Sequence, residues 1–381
     1  MIPKKLQDQL DSRNAEITFR ALDTPQLLVD FASNDYLGFS MSNEIFDRTH
    51  YYLENEFIFQ NGSKGSWLLS GNHQLYPEVE ALICKTYHCN SALIFNSGYN
   101  ANLGFFSCVP QQDDVIFYDE MIHASIRDGI AMGNARAFAF KHNDLEDLKR
   151  LCKNERQHVA ENSEVYIATE SVFSIDGDTP DLVALADFCT QNKFRLIVDE
   201  AHAIGVFGNQ GVGLVHSLGI DKAVFARLIS FGKALSSHGA AILGDQQLID
   251  YLVNFSRPFS YTTAIPPHSL MTIKAVYKEL QLTHAVKKLH KNISFFKEQL
   301  KENKLQKYFT ASNSAIQCCI VSSSEKVKKI VRHLNENGYD PEPIFFPTVP
   351  KGQERIRFCI HAYNSEDEIS KVLSLLGPCF S

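Results

Sequence analysis

Between Ala92 and Ser230 the chain alternates short apolar runs with longer stretches whose apolar residues recur every three or four positions. The runs Ala92–Phe95, Val115–Tyr118, Glu164–Ala168, Arg195–Val198 and Arg227–Ser230 are strand-like, rich in Val, Ile and Phe. Segments such as "DLEDLKRLCKNE" and "DLVALADFCTQNK" between them carry helical spacing. This alternation predicts an α/β fold, a mostly parallel sheet flanked by helices. Ahead of it, "KKLQDQLDSRNAEITFRAL" reads as an amphipathic helix leading into a short extended piece, "LLVDFASNDYLGF". From about Pro266 the pattern changes. One long helical stretch, Pro267 to Lys304, precedes strand-like pieces at Ala315–Ser322 and Arg355–Cys359 and a final helix from Ser365. The expected organisation is an N-terminal helix and arm over 1–45, a large α/β domain over 46–283 and a smaller α+β domain over 284–381.

Composition narrows the class. The 381 residues are 44% hydrophobic and 21% charged, ordinary for a globular protein. A formal charge of −7 and a pI near 6.1 give no basic footprint for nucleic acid. No apolar run reaches the length of a membrane span, and "MIPKKLQDQLDSRNAE" is polar rather than signal-like. The nine cysteines show no C-x-x-C spacing, and Cys318-Cys319 is the one adjacent pair. That pattern predicts reduced thiols in the cytoplasm, without a disulfide framework or a metal site.

Chemistry enters at the strand ends, where open α/β sheets bind their ligands. In "RLISFGKALSSHGAAILG", Lys233 sits among apolar and glycine residues, where burial of an ammonium is costly. The other runs end alike. "ALIF" leads to Ser97 and Gly98 opening a helix, which suits a phosphate. "DVIFY" leads to His123, and "VYIATE" to Ser171 and Ser174. "RLIV" leads to Asp199 and His202, and "ARLIS" to Ser230 and Lys233. Each has a bland reading alone: a Ser-Gly turn, a structural histidine, a lysine that snorkels to solvent. "DEAH" also occurs in helicases, but no Walker A loop accompanies it. Together, a phosphate cradle, two imidazoles, an acid, a hydroxyl and a lysine are the inventory that holds pyridoxal 5′-phosphate.

The ordered motifs "SNDYLGF", "GSKGSWLLSGNHQLY", "SGYNANLG", "DEMIHASIRDG", "ESVFSIDGD", "VDEAHAIGVFG", "SFGKALSSHGAAILG", "RPFSYTTAIPP" and "PTVPKGQERIRF" span nearly the whole chain. They resemble the α-oxoamine synthases of the fold-type-I pyridoxal-phosphate superfamily. The resemblance implies a fold-type-I transferase in which Lys233 binds the cofactor covalently and then serves as base. It implies Asp199 against the pyridine nitrogen, His202 with Ser174 at the phenolic oxygen, and His123 on the ring face. Gly98, Tyr99 and Ser230 are the implied phosphate donors after Ser97, with Thr262 and Thr263 reaching the phosphate of a neighbouring subunit in a homodimer. Asn34 and Arg357 are implied for the amino-acid carboxylate, and Arg20 and Thr348 for the acyl substrate. Periodicity does not separate Arg357 from Arg355, which share a strand face.

Within the family, "FSYTTAIPP" and "GKALSSHGAAILG" are most like the biotin-pathway members. The expected reaction is therefore decarboxylative condensation of L-alanine with a pimeloyl thioester, carried by coenzyme A or acyl carrier protein. Glycine- and serine-using relatives (2-amino-3-ketobutyrate ligase, serine palmitoyltransferase) share most motifs and are the alternative. A pyridoxal-phosphate aldolase or aminotransferase stands further off. A Ser-His-Asp hydrolase lacks its G-x-S-x-G. Three features depart from the family pattern: Trp67, the only tryptophan; Ser230 in place of the commoner threonine; and the run Ser236-Ser237-His238.

Overall fold

The computed structural model describes residues 2–15, 19, 27–155 and 162–380. Its strands, in chain order, are β1 (Val29–Phe31), β2 (Ser91–Phe95), β3 (Val115–Asp119), β4 (Arg136–Phe140), β5 (Val165–Glu170), β6 (Arg195–Asp199), β7 (Val224–Ser230), β8 (Ala240–Gly244), β9 (Ile316–Ile320), β10 (Tyr339–Ile344) and β11 (Arg355–Cys359). The chain divides into two compact units, one of residues 34–174 and 178–287, the other of 1–33, 175–177 and 288–381.

The larger unit carries a seven-stranded sheet ordered β2-β8-β7-β6-β5-β3-β4. All its strands run parallel except β8, which pairs antiparallel with both β2 and β7. The five apolar runs anticipated as strands are β2, β3, β5, β6 and β7. The sequence reading missed β4 and β8: β4 is half-exposed and less apolar in pattern, and β8 is a short, small-residue run after the lysine. Every residue of β5 is buried, as expected for a strand covered on both faces. One part of the core packs Val115, Phe117, Ile167, Leu196 and Val198 against Leu148, Leu182, Leu185 and Cys189 of the helices Leu145–Glu155 and Leu182–Asn192.

The smaller unit holds a four-stranded sheet ordered β1-β10-β11-β9. β1 pairs parallel with β10, Val29 opposite Tyr339, a contact across about three hundred residues that local patterning does not reveal. The last helix is Glu366–Leu376, started by a capping box between Ser365 and Glu368.

The long helix expected over 267–304 is two helices, Pro267–Leu282 and Ala285–Glu302. Thr283 is extended (φ −73°, ψ 152°), and its hydroxyl accepts the Ala285 N–H at 3.0 Å, so it stops one helix and caps the next. The N-terminal helix covers Lys4–Ala15, with its described side chains exposed, and most of its expected continuation lies outside the described residues.

Candidate active site

Because β2, β3, β5, β6 and β7 point the same way, their carboxyl ends form one edge, and the polar residues gather there. A cavity of about 170 Å³ is lined by Gly98, Tyr99, Asn102, His123, Ser125, Glu170, Asp199, Ala201, His202, Leu228, Ser230 and Lys233, all of the larger unit.

Asp199 ends β6 and is buried. Its Oδ2 accepts from Asn102 Nδ2 at 2.9 Å and its Oδ1 from the Ala201 N–H at 2.8 Å, donors that hold a carboxylate in a fixed direction. Asn102 Nδ2 also reaches Ser125 Oγ at 3.0 Å, and Ser125 Oγ lies 2.7 Å from His123 Nδ1. The Ser125 N–H donates to that same Nδ1 at 3.2 Å. Nδ1 is therefore an acceptor, and Nε2 of His123 carries the proton. Burial, strengthened by the Lys233 charge and opposed by Asp199, holds His123 below the usual histidine range, so the imidazole is neutral.

Lys233 lies three residues beyond β7, and its Nζ is 2.6 Å from His202 Nε2. His202 Nδ1 lies 2.8 Å from the Tyr36 hydroxyl, which is 3.1 Å from Asn34 Oδ1. The loop after the lysine is tied to the same arm: Ser236, in the left-handed region (φ 43°), donates through Oγ to Asp35. Two of the departing residues thus acquire a place, since Ser236 anchors the loop while His238 is exposed.

The helix Gly98–Cys108 starts at this edge. Ser97 is its N-cap, accepting the Asn100 N–H at 3.1 Å, and the N–H groups of Gly98 and Tyr99 head the helix without intrahelical acceptors. A Cβ on Gly98 would stand 3.8 Å from Ser230 Oγ, so helix start and strand end face each other across a narrow gap. Ser230 Oγ accepts the Gly232 N–H at 3.3 Å, which leaves its own proton to donate.

Glu170, Asn102, Ser125 and Tyr36 were not singled out from the sequence. Glu170 is fully buried at the end of β5, opposite Asp199 in register, and its Oε1 accepts the His123 N–H at 2.7 Å. Burial, then the Asp199 charge, pushes its carboxyl well above the usual range. A strand-end position in "ATESVF" was the one available signal; Asn102 and Tyr36 meet Asp199 and His202 across long separations, whereas Ser125 lies two residues from His123.

Of the remaining expected residues, Ser174, Thr262 and Thr263 belong to the larger unit and are not among those lining the cavity. Ser174 is half-buried beyond β5 and does not line it. Thr262 and Thr263 lie in the loop after Arg257–Ser260, where Thr263 bridges Ser66 and accepts from Asn96 Nδ2 at 3.3 Å. Arg357 is on β11 of the smaller unit and donates to the Ala32 carbonyl at 3.2 Å. Arg355, also on β11, is committed to Asp176 (Nη1 to Oδ2, 2.6 Å) and to the Gln353 carbonyl. Thr348 is exposed in the same unit, and Arg20 lies outside the described residues. Trp67 is buried, stacked on Phe259 at 4.8 Å and near Tyr76, and lines no part of the cavity.

A directed carboxylate, helix-start amides with a hydroxyl beside them, two imidazoles and a lysine match the groups of pyridoxal 5′-phosphate one by one: ring nitrogen, phosphate, ring face, phenolic oxygen and aldehyde. The residues fit the cofactor. Fold and site are those of a fold-type-I pyridoxal-phosphate enzyme.

The comparisons agree. Residues 27–376 match the family model for aminotransferase class I and II. An 8-amino-7-oxononanoate synthase of Emericella nidulans is 36% identical over 98% of this chain and 96% of its own, and one of Haemophilus ducreyi 34% over 92% and 91%. The crystal structure of 8-amino-7-oxononanoate synthase from Francisella tularensis superposes with a TM-score of 0.78 at 28% identity, covering 92% of this chain and 97% of that one. Serine palmitoyltransferase of Sphingomonas wittichii shares the fold, with a TM-score of 0.88 at 23% identity over 99% and 97%. The chain belongs to the aminotransferase class I and II family, in its α-oxoamine synthase branch, and is a pyridoxal-phosphate-dependent acyltransferase.

Proposed function

We propose that this enzyme condenses L-alanine with a pimeloyl thioester, releasing the thiol and carbon dioxide and giving 8-amino-7-oxononanoate for biotin synthesis. The observation that carries the reading is Lys233 Nζ at 2.6 Å from His202 Nε2 in a cavity that also holds Asp199 and His123. Full-length similarity to 8-amino-7-oxononanoate synthases selects the substrates within the family.

Pyridoxal 5′-phosphate, when bound, supplies an electron sink for the pair left behind when the α-proton or the carboxylate of the amino acid departs. The chain does the rest. Lys233 would hold the cofactor through Nζ, and its free amine would take the α-proton of the amino acid at that nitrogen and later return one. His202 orients the amine through Nε2. Asp199, fixed by Asn102 and Ala201, keeps a proton on the ring nitrogen so that the sink stays open. The Gly98 and Tyr99 amides and Ser230 hold the phosphate dianion. His123 offers Nε2–H to the thioester carbonyl oxygen as a carbon–carbon bond forms between that carbonyl and the alanine α-carbon. Arg357 and Asn34 hold the amino-acid carboxylate until it leaves as carbon dioxide. The commitment of Arg355 to Asp176 supports Arg357 as the clamp. Thr348 and Arg20 contact the acyl substrate, and His202 shares the phenolic oxygen with Ser174.

The working form is a homodimer in the cytoplasm, with Thr262 and Thr263 donating to the partner's phosphate. Leu69 and Tyr261, 86% and 82% exposed, border an open groove with Leu68 and Phe255, an apolar surface of the kind that subunit interfaces cover. All nine cysteines are free, and among the described residues no helix is long and apolar enough to cross a membrane.

Borohydride reduction of the holoenzyme followed by peptide mapping tests the site. Reduced cofactor is expected on Lys233, and its recovery on another lysine overturns the assignment.

A further inference from the structure

The reaction uses none of the cysteines, yet two of them meet. Cys84 and Cys89 flank the end of the helix Leu75–Tyr87, where His88 turns into the left-handed region (φ 53°, ψ 42°). The Cys84 carbonyl accepts the N–H of His88 and also that of Cys89, the latter at 3.1 Å. A six-to-one bond of this kind closes a helix in the manner of a Schellman cap, which sets the side chains of the two residues it joins against each other. Here both side chains are thiols and both are half-buried, and each perturbs the other's ionisation. A 3.1 Å N–H···O bond between the same two residues also keeps their Cα atoms within about 7 Å. A disulfide needs about 4.4–6.8 Å. Little backbone movement separates the dithiol from the bridged form.

We propose that Cys84 and Cys89 form a dithiol modification site that a low-molecular-weight disulfide converts to an intramolecular disulfide. The Cys84 thiolate attacks one sulfur of the small disulfide, forming a mixed disulfide and expelling a thiolate that takes up the proton lost from Cys84. Cys89 then loses its proton and attacks the Cys84 sulfur, expelling the second thiolate, which takes up that proton. Two protein thiols are oxidised to one disulfide, and one small disulfide is reduced to two thiols.

The order of attack follows from the surroundings. The neighbouring Cys89 thiol holds the Cys84 thiol below the usual range. The same contact, then burial, pushes Cys89 up. Burial alone pushes Cys108 up to about 12, and Cys152 rises likewise, so these thiols compete poorly. Cys89 also lines an open groove of about 770 Å³ whose wall includes Lys193, Lys222, Asp221 and Asp245. A small polar disulfide reaches Cys89 there without crossing the apolar core, and Cys84, itself only half-buried, stands beside it on the cap.

The test treats the holoenzyme with oxidised glutathione, alkylates the remaining thiols and maps the segment 84–89. The expected result is a Cys84–Cys89 link, two hydrogens lighter, that yields to alkylation only after reduction. The Cys89→Ser variant, which removes the resolving thiol and keeps a polar group of similar size, is expected to accumulate glutathione on Cys84. It should do so roughly tenfold faster than Cys84→Ser accumulates it on Cys89. Two fully alkylated thiols, or a glutathione adduct that persists in the wild-type protein, overturns the proposal. Equal rates in the two variants overturn the order of attack.

Discussion

Lys233 Nζ and His202 Nε2 stand 2.6 Å apart, and the other nitrogen of that imidazole lies 2.8 Å from the Tyr36 hydroxyl. If the amine donates to Nε2, Nδ1 carries the ring proton and donates to Tyr36, whose own proton points to Asn34. Lys233, the base in the proposed reaction, is thereby oriented by a chain of polar contacts that reaches the segment "SNDY".

Tyr36→Phe removes one link of that chain while keeping the ring. A lost hydrogen bond of this kind costs about 1 kcal/mol, roughly fivefold in kcat. The loss is expected in kcat, with the KM for alanine little changed and the cofactor retained. Steady-state kinetics on the holoenzyme variant checks it, and an unchanged kcat counts against the relay.

Asp199→Asn is expected to keep the cofactor and lose on the order of 10²-fold or more in rate, because a neutral amide does not hold a proton on the ring nitrogen. Asn102→Ala leaves Asp199 Oδ2 short of a donor and is expected to cost about 1.5–3 kcal/mol, roughly 10- to 150-fold. Absorbance spectra and kcat for the two variants supply the measurement. Activity within a few-fold of wild type in Asp199→Asn would assign the acid another task.

His142 bridges two carboxylates, Asp119 and Asp178, each at 2.8 Å. Burial opposes its charge, but the hydrogen bonds and charges of those carboxylates prevail and raise it to about 10. A raised folded-state pKa means stabilisation that is complete below the ordinary histidine value and lost as pH rises through about 10. His142→Gln is expected to cost on the order of 2 kcal/mol at neutral pH, less than a fully buried pair because the imidazole is 23% exposed. Urea unfolding of both proteins across that pH span is expected to show the difference shrinking. A constant difference contradicts the charged bridge.

The groups at strand ends were legible in the sequence because each is local: an apolar run, then a polar residue, as in β6 and Asp199 or β7 and Ser230. Motif order then named the family. The residues that aim those groups were not legible. Asn102 meets Asp199 across 97 positions and Tyr36 meets His202 across 166, contacts that exist only once the sheet is assembled. The break at Thr283 was hidden for the opposite reason: helical spacing continues through it, and only the extended backbone and the hydroxyl cap separate two helices. Trp67, which the motif pattern left without a role, is part of an aromatic cluster with Phe259 and Tyr76.

A homodimer with composite sites is expected in solution at micromolar concentration. Changing Leu69 and Tyr261 to charged residues is expected to split it and to lower cofactor affinity together, since Thr262 and Thr263 are proposed to act across the interface. Sedimentation and cofactor titration of the same variant check both effects. A fully active monomer contradicts the arrangement.

The most direct measurement offers the holoenzyme L-alanine, glycine and L-serine against pimeloyl, acetyl, succinyl and palmitoyl thioesters, following thiol release and carbon dioxide. L-Alanine with the pimeloyl thioester is expected to be fastest and to yield 8-amino-7-oxononanoate. Glycine is expected to fall behind by roughly 10- to 200-fold, the discrimination one methyl group allows in an apolar pocket. Faster turnover of serine with the palmitoyl thioester, or of glycine with the acetyl thioester, would contradict the assigned reaction.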